Sequence, residues 1–105
     1  MAFGADMAKL DVILSGGIIM SPRPWSVIAE TRSPSVYIPE NGEAAIESAL
    51  RRYQVRWLLL VGDECLGESQ AICRGLMNGT RDKIGGATLT KRATRGDLTL
   101  FDVTL

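Results

Sequence analysis

The chain contains no histidine. That removes the commonest general base at neutral pH and the commonest metal ligand. Ser15, Ser21 and Ser69 have no imidazole partner, which excludes a serine triad. Only two cysteines occur, Cys65 and Cys73, and a lone pair without histidine or a second cysteine pair does not make a zinc site. Eight positions along one helix would hold them about 12 Å apart, beyond the reach of a disulfide. A bridge requires Cys65 to sit in a loop that folds back; two buried or half-buried thiols are the expectation. No metal and no cofactor is expected.

An excess of one charge is also missing. Twelve basic residues balance twelve acidic ones, so no long-range field draws in nucleic acid or an anionic membrane surface. Arg51, Arg52 and Arg56 lie close together and read as a solvated helix end plus an exposed strand residue. Nucleic acid is not an expected partner. No apolar run approaches the eighteen residues a membrane span requires, and the longest, Trp57 to Val61, has the length of a strand. Direct membrane insertion is not expected. Met1 to Lys9 lacks a basic leader followed by an apolar stretch, and residues 1–10 read as a linker or cloning remnant ahead of a single domain over residues 11–105.

What is present suits one globular core. The chain has 105 residues, 46% of them hydrophobic and 23% charged, enough apolar content to fold without staples. Asp11 to Ser15 is a short apolar run closed by Gly16-Gly17, expected as the first strand. Ser21-Pro22-Arg23-Pro24 then starts a short helix near Trp25 to Thr31. Ser35 to Ile38 is the second strand, and Asn41 is placed to cap a helix from Gly42 to Tyr53. In that helix Ile46, Ala49, Leu50 and Tyr53 form one apolar stripe, with Glu47 and Arg51 as an i, i+4 pair outside. Val55 to Val61 is the third strand, apolar on both faces.

A weaker helix is expected over Gly67 to Met77, with Ala71, Ile72 and Met77 inward and Gly75 against it. Beyond it, Ala87 to Ala93 and Leu98 to Leu105 form a hairpin around Thr94-Arg95-Gly96-Asp97. A phase shift between Leu100 and Phe101 signals a bulge or two buried faces. The fold expected is α/β: a three-layer, Rossmann-like domain with a parallel three-stranded core and a C-terminal antiparallel β-hairpin on the sheet.

In such a sheet ligands bind at the carboxyl ends of the strands. The candidate ligand-binding residues are Ser15, Gly16, Gly17, Glu40, Asn41, Asp63 and Glu64. The glycine pair fits neither the dinucleotide fingerprint nor the P-loop, and a structural turn is the better account. Asp63 and Glu64, with Glu40 nearby, are oxygen donors of the kind a divalent cation takes, but adjacent acids in a turn are commonly just solvated. Arg95-Gly96-Asp97 spells an adhesion tripeptide and equally a hairpin turn. Asn78-Gly79-Thr80 meets the N-glycosylation pattern and equally a glycine helix terminus, the reading preferred here. Trp25 and Trp57 read as core or edge packing.

A longer pattern runs through Asp11-Val12-Ile13-Leu14-Ser15, Thr31-Arg32-Ser33-Pro34-Ser35-Val36, Ile38-Pro39, Arg52-Tyr53-Gln54-Val55-Arg56-Trp57-Leu58-Leu59-Leu60 and Leu98-Thr99-Leu100-Phe101-Asp102-Val103. This succession resembles the C-terminal extramembrane domain of bacterial polytopic glycosyltransferases similar to dolichyl-phosphate-mannose–protein mannosyltransferases, and it covers Asp11 to Leu105. In that family catalysis lies in acidic loops of the membrane part, so the resemblance carries over no active-site residue. It implies a non-catalytic accessory or interaction domain on the extracytoplasmic face of a bacterial membrane. Its partner would be the membrane-embedded part of the same polypeptide or another protein. Without the resemblance, the alternatives are a cytoplasmic, free-standing binding module for a small anionic ligand, or a small enzyme using Asp63, Glu64 or Cys65.

Overall fold

The computed structural model describes residues 3–11 and 16–105. Four helices and six strands follow one another as α1 (Phe3–Asp11), β1 (Ile18–Ser21), α2 (Pro24–Thr31), β2 (Ser35–Tyr37), α3 (Glu43–Arg52), β3 (Val55–Val61), a single 3₁₀ turn (Gly67–Ser69), α4 (Gln70–Asn78), β4 (Lys83–Ile84), β5 (Ala87–Arg95) and β6 (Leu98–Thr104). The strands make one mixed sheet in the order β2-β1-β3-β6-β5-β4. Two pairs are parallel, β1 with β2 and β1 with β3. The rest of the sheet is antiparallel.

Helices lie against both faces, so the sheet has two cores. Ile46 and Leu50 of α3 and Ile72, Cys73 and Leu76 of α4 cover one, packing on Met20, Leu58, Leu60, Leu89 and Phe101. Met7 and Leu10 of α1 and Val27 of α2 cover the other, packing on Ile19, Trp57, Leu59, Val61, Leu98 and Leu100. This explains the unbroken apolar run from Trp57 to Val61 in β3: alternate residues feed opposite cores. The phase shift in β6 has both of the expected sources. Leu98 to Phe101 are all buried, and the register slips between Lys91 and Ala93, opposite Phe101 and Leu100.

Several expectations are corrected. Residues 3–10 are no linker but most of a helix, because Met7 and Leu10 recur at helical spacing and seal one core. Asp11 ends that helix; residues 12–15 of the expected first strand lie outside the described residues. The first strand among the described residues is Ile18–Ser21, and Gly16-Gly17 precede it. Gly42, at φ 101°, takes the N-cap of α3 in place of Asn41, and Tyr53 is exposed because the helix stops one residue short of it. In α4 the inward residues are Ile72, Cys73 and Leu76, while Ala71 is exposed and Met77 only partly buried. The two-residue strand β4 is an addition. Trp25 is 82% exposed, contrary to the packing expected of it.

Cys65 and Cys73 form a disulfide, with Cα atoms 6.4 Å apart. The helical separation does not apply because α4 begins only at Gln70. Cys65 sits in the preceding loop, which folds back over the helix.

Candidate functional site

The carboxyl ends of β1, β2 and β3 come out on one edge of the sheet because those strands are parallel. The segments there are Pro22-Arg23, Ile38 to Gly42, and Gly62 to Glu64. Of the candidate residues, the structure brings Glu40, Asn41, Asp63 and Glu64 to this edge. Gly16 and Gly17 stand at the opposite end of β1, and Ser15 lies outside the described residues. Gly16 has a structural task there, its carbonyl accepting the Trp57 indole N–H at 3.2 Å.

The acids at this edge do not converge. Glu64 is held by the Arg23 guanidinium, with Arg23 Nε donating to Glu64 Oε1 at 2.7 Å and a second bond from Nη2 to Oε2. That hydrogen bond is the main reason the guanidinium pKa is raised. Asp63 faces Arg74 at 3.5 Å in an exposed pair, worth little in water. Glu40 accepts the Tyr37 hydroxyl at 2.7 Å, which raises the phenol above its ordinary pKa. Among the described residues no group of three or more acids or cysteines is placed to hold a metal ion. The basic trio is likewise dispersed: Arg51 bonds Glu47, Arg52 lies over the Tyr53 ring, and Arg56 pairs with Asp102 beside Trp57.

The crevice beside β2 is occupied by this chain's own 3₁₀ turn. Ser69, fully buried, donates its hydroxyl to the Pro39 carbonyl at 2.5 Å and accepts the Gly42 N–H. The Ser69 N–H goes to the Glu40 carbonyl. Gly67, at φ 60°, brings the backbone so close that a Cβ would lie 2.6 Å from that carbonyl. The Gly42 and Ser69 N–H groups are therefore spent internally, and the carboxylate of Glu68 lies beside Gly42. The anionic-ligand reading gains nothing from these contacts.

What the sequence reading missed is a cleft of about 540 Å³ on the outer flank of α2 and β2, lined by Pro22, Arg23, Pro24, Trp25, Ile28 and Tyr37 among others. Pro22 and Pro24 fix the backbone on either side of Arg23, and Pro24 is the first residue of α2. The next residue, Trp25, is thereby held out in solvent. Tyr37, 43% exposed, also lines the cleft. The signal available in sequence was Pro-Arg-Pro-Trp, two rigid residues ahead of a large aromatic.

No family model matches the chain, and no curated protein sequence does. Among solved structures, the chain is similar to the C-terminal globular domain of an oligosaccharyltransferase from Archaeoglobus fulgidus, with a TM-score of 0.66 and 8% sequence identity. The superposition covers 99% of this chain and 97% of that one. At such low identity the likeness is one of fold. It nonetheless extends over nearly the whole length of both chains.

Proposed function

We propose that this chain is a non-catalytic accessory domain of a membrane-bound glycosyltransferase-like protein, held at the extracytoplasmic face. The observation that carries this reading is the end-to-end fold likeness to the globular domain of an oligosaccharyltransferase. In this view the β2-β1-β3 end is a Rossmann-like half whose ligand crevice has been filled by the 3₁₀ turn. The dispersal of the acids into separate ion pairs is consistent with a supporting role. The disulfide favours an oxidising compartment, since such bonds persist outside the cytosol. No helix among the described residues is long and apolar enough to cross a membrane, so attachment would come from the membrane-embedded part of the same polypeptide or from another protein. The exposed wall of Trp25 and Tyr37 is the surface we assign to that contact, because large aromatics are enriched where proteins meet.

The test uses the native host. An antibody to this domain should detect a polypeptide much larger than 11.4 kDa that pellets with membranes and is cleaved by protease added to the outer face. A free 11 kDa species in the soluble fraction would remove the proposal.

A further inference from the structure

The Asn78-Gly79-Thr80 motif is not used by the site above. Asn78 is the last residue of α4, and Gly79 follows at φ 82° as its left-handed cap. All three residues are exposed. The Asn78 side chain is ordered by its own motif: Oδ1 accepts the Thr80 N–H at 3.0 Å and the Thr80 hydroxyl at 2.7 Å. Its Nδ2 donates to no group among the described residues. The residue types that the glycosylation pattern demands thus already contact one another, through the atoms that distinguish it: the amide of the first and the hydroxyl of the third.

A glycine helix terminus explains Gly79 alone, since asparagine and threonine are not needed for that cap. The chain's other asparagine shows the difference. Asn41 is also followed by glycine, but Glu43 stands at the third position and uses its carboxylate to accept the Gly85 N–H. The disulfide adds an independent indication, because the Cys65–Cys73 bond belongs to an oxidising compartment, where asparagine-linked glycosylation also takes place.

We infer that Asn78 is an acceptor for asparagine-linked glycosylation, with a lipid-linked saccharide diphosphate as donor and a separate membrane transferase as catalyst. In the transfer, Asn78 Nδ2 forms a bond to the anomeric carbon of the donor. The anomeric C–O bond to phosphate breaks, its electron pair leaving on the lipid diphosphate. One amide proton passes to a base of the transferase. The inference rests on the extracytoplasmic placement proposed above for its occurrence in the native host.

The experiment separates the two. The full chain, carrying a cleavable signal peptide, is secreted from yeast and its intact mass is measured before and after peptide N-glycosidase. The expected result is an added glycan mass on the secreted chain that the glycosidase removes. It should be lost in Asn78→Gln and Thr80→Ala and kept in Thr80→Ser. A secreted, disulfide-bonded chain of unmodified mass would overturn the inference, and so would a glycan that persists in Asn78→Gln. Cytosolic free thiols at Cys65 and Cys73 in the native host would instead sink the placement, leaving the yeast result unaffected.

Discussion

Gly67 lies in the turn that fills the crevice, and the Cys65–Cys73 disulfide ties the loop before it to α4. Gly67 combines a positive φ with a backbone approach that leaves no room for a Cβ. Gly67→Ala should cost roughly 1–3 kcal/mol, read as a lower urea midpoint with an unchanged slope. The disulfide works by a different route, constraining the unfolded chain over a short loop. Replacing both Cys65 and Cys73 by alanine should cost about 2–3 kcal/mol, measured the same way. Neither role was legible from spacing. Eight positions between cysteines forbid a bridge only if one helix spans them, and nothing in Leu66-Gly67-Glu68-Ser69 announces that α4 starts late. Gly75 misleads in the other direction. It weakens helix propensity, but its carbonyl accepts the Arg81 N–H and a Cβ there would come within 3.1 Å of Arg81 Cβ. The glycine serves a close approach that only the folded chain shows.

At the level of elements, local pattern was readable wherever one residue run has one interpretation. Strand β3 is apolar without a break from Trp57 to Val61 and has the boundaries expected of it. The start of the chain has two apolar runs flanking Gly16-Gly17, and the pattern alone does not single out the second, Ile18–Ser21, as a partner of β3. Helix α1 was hard to read because Met7 and Leu10, both buried, are separated by Ala8 and Lys9 and form no apolar run. Leu10→Ala should therefore destabilise the protein by about 2–5 kcal/mol, whereas a linker residue would tolerate the change within error of a thermal melt. The β4–β5 turn shows how exposed charges can hold an element. Glu43 accepts the Gly85 N–H at 2.7 Å and Glu47 the Gly86 N–H at 2.8 Å, with Arg81 and Arg51 alongside. These backbone hydrogen bonds, then the arginines, hold both carboxyls below their ordinary pKa. A lowered pKa in the folded state contributes stability above the ordinary carboxylate range, and that contribution fades as the pH falls through the folded pKa values. Glu43→Gln with Glu47→Gln should flatten the acid limb of stability measured by urea unfolding from pH 7 downward, while the wild type loses stability below about pH 4.5.

On the scale of the whole molecule, the α/β class, the parallel pairs and the terminal hairpin could be read from element order alone, since short crossovers fix strand direction. The exposed face of Trp25 could not. Sequence logic pointed to the carboxyl ends of the strands, and the fold does gather Glu40, Asp63 and Glu64 there, but it pairs each with a different partner. The most exposed of the large hydrophobic side chains is Trp25, on a rigid Pro-Arg-Pro support, and its exposure is a tertiary property with no signature in periodicity. The two tryptophans now provide an internal comparison. Trp57 is 1% exposed and Trp25 is 82% exposed, so acrylamide should quench Trp25 far more strongly in the isolated domain. Trp25→Phe should remove the quenchable component and leave the unfolding midpoint within about 0.5 kcal/mol of wild type, as expected of an exposed position. If the Trp25 face contacts a membrane-embedded part, the same component should become protected in the membrane-attached protein. Equal quenching of Trp25 in the isolated and membrane-attached forms would show that this face meets no partner, and the contact would have to be sought elsewhere on the domain.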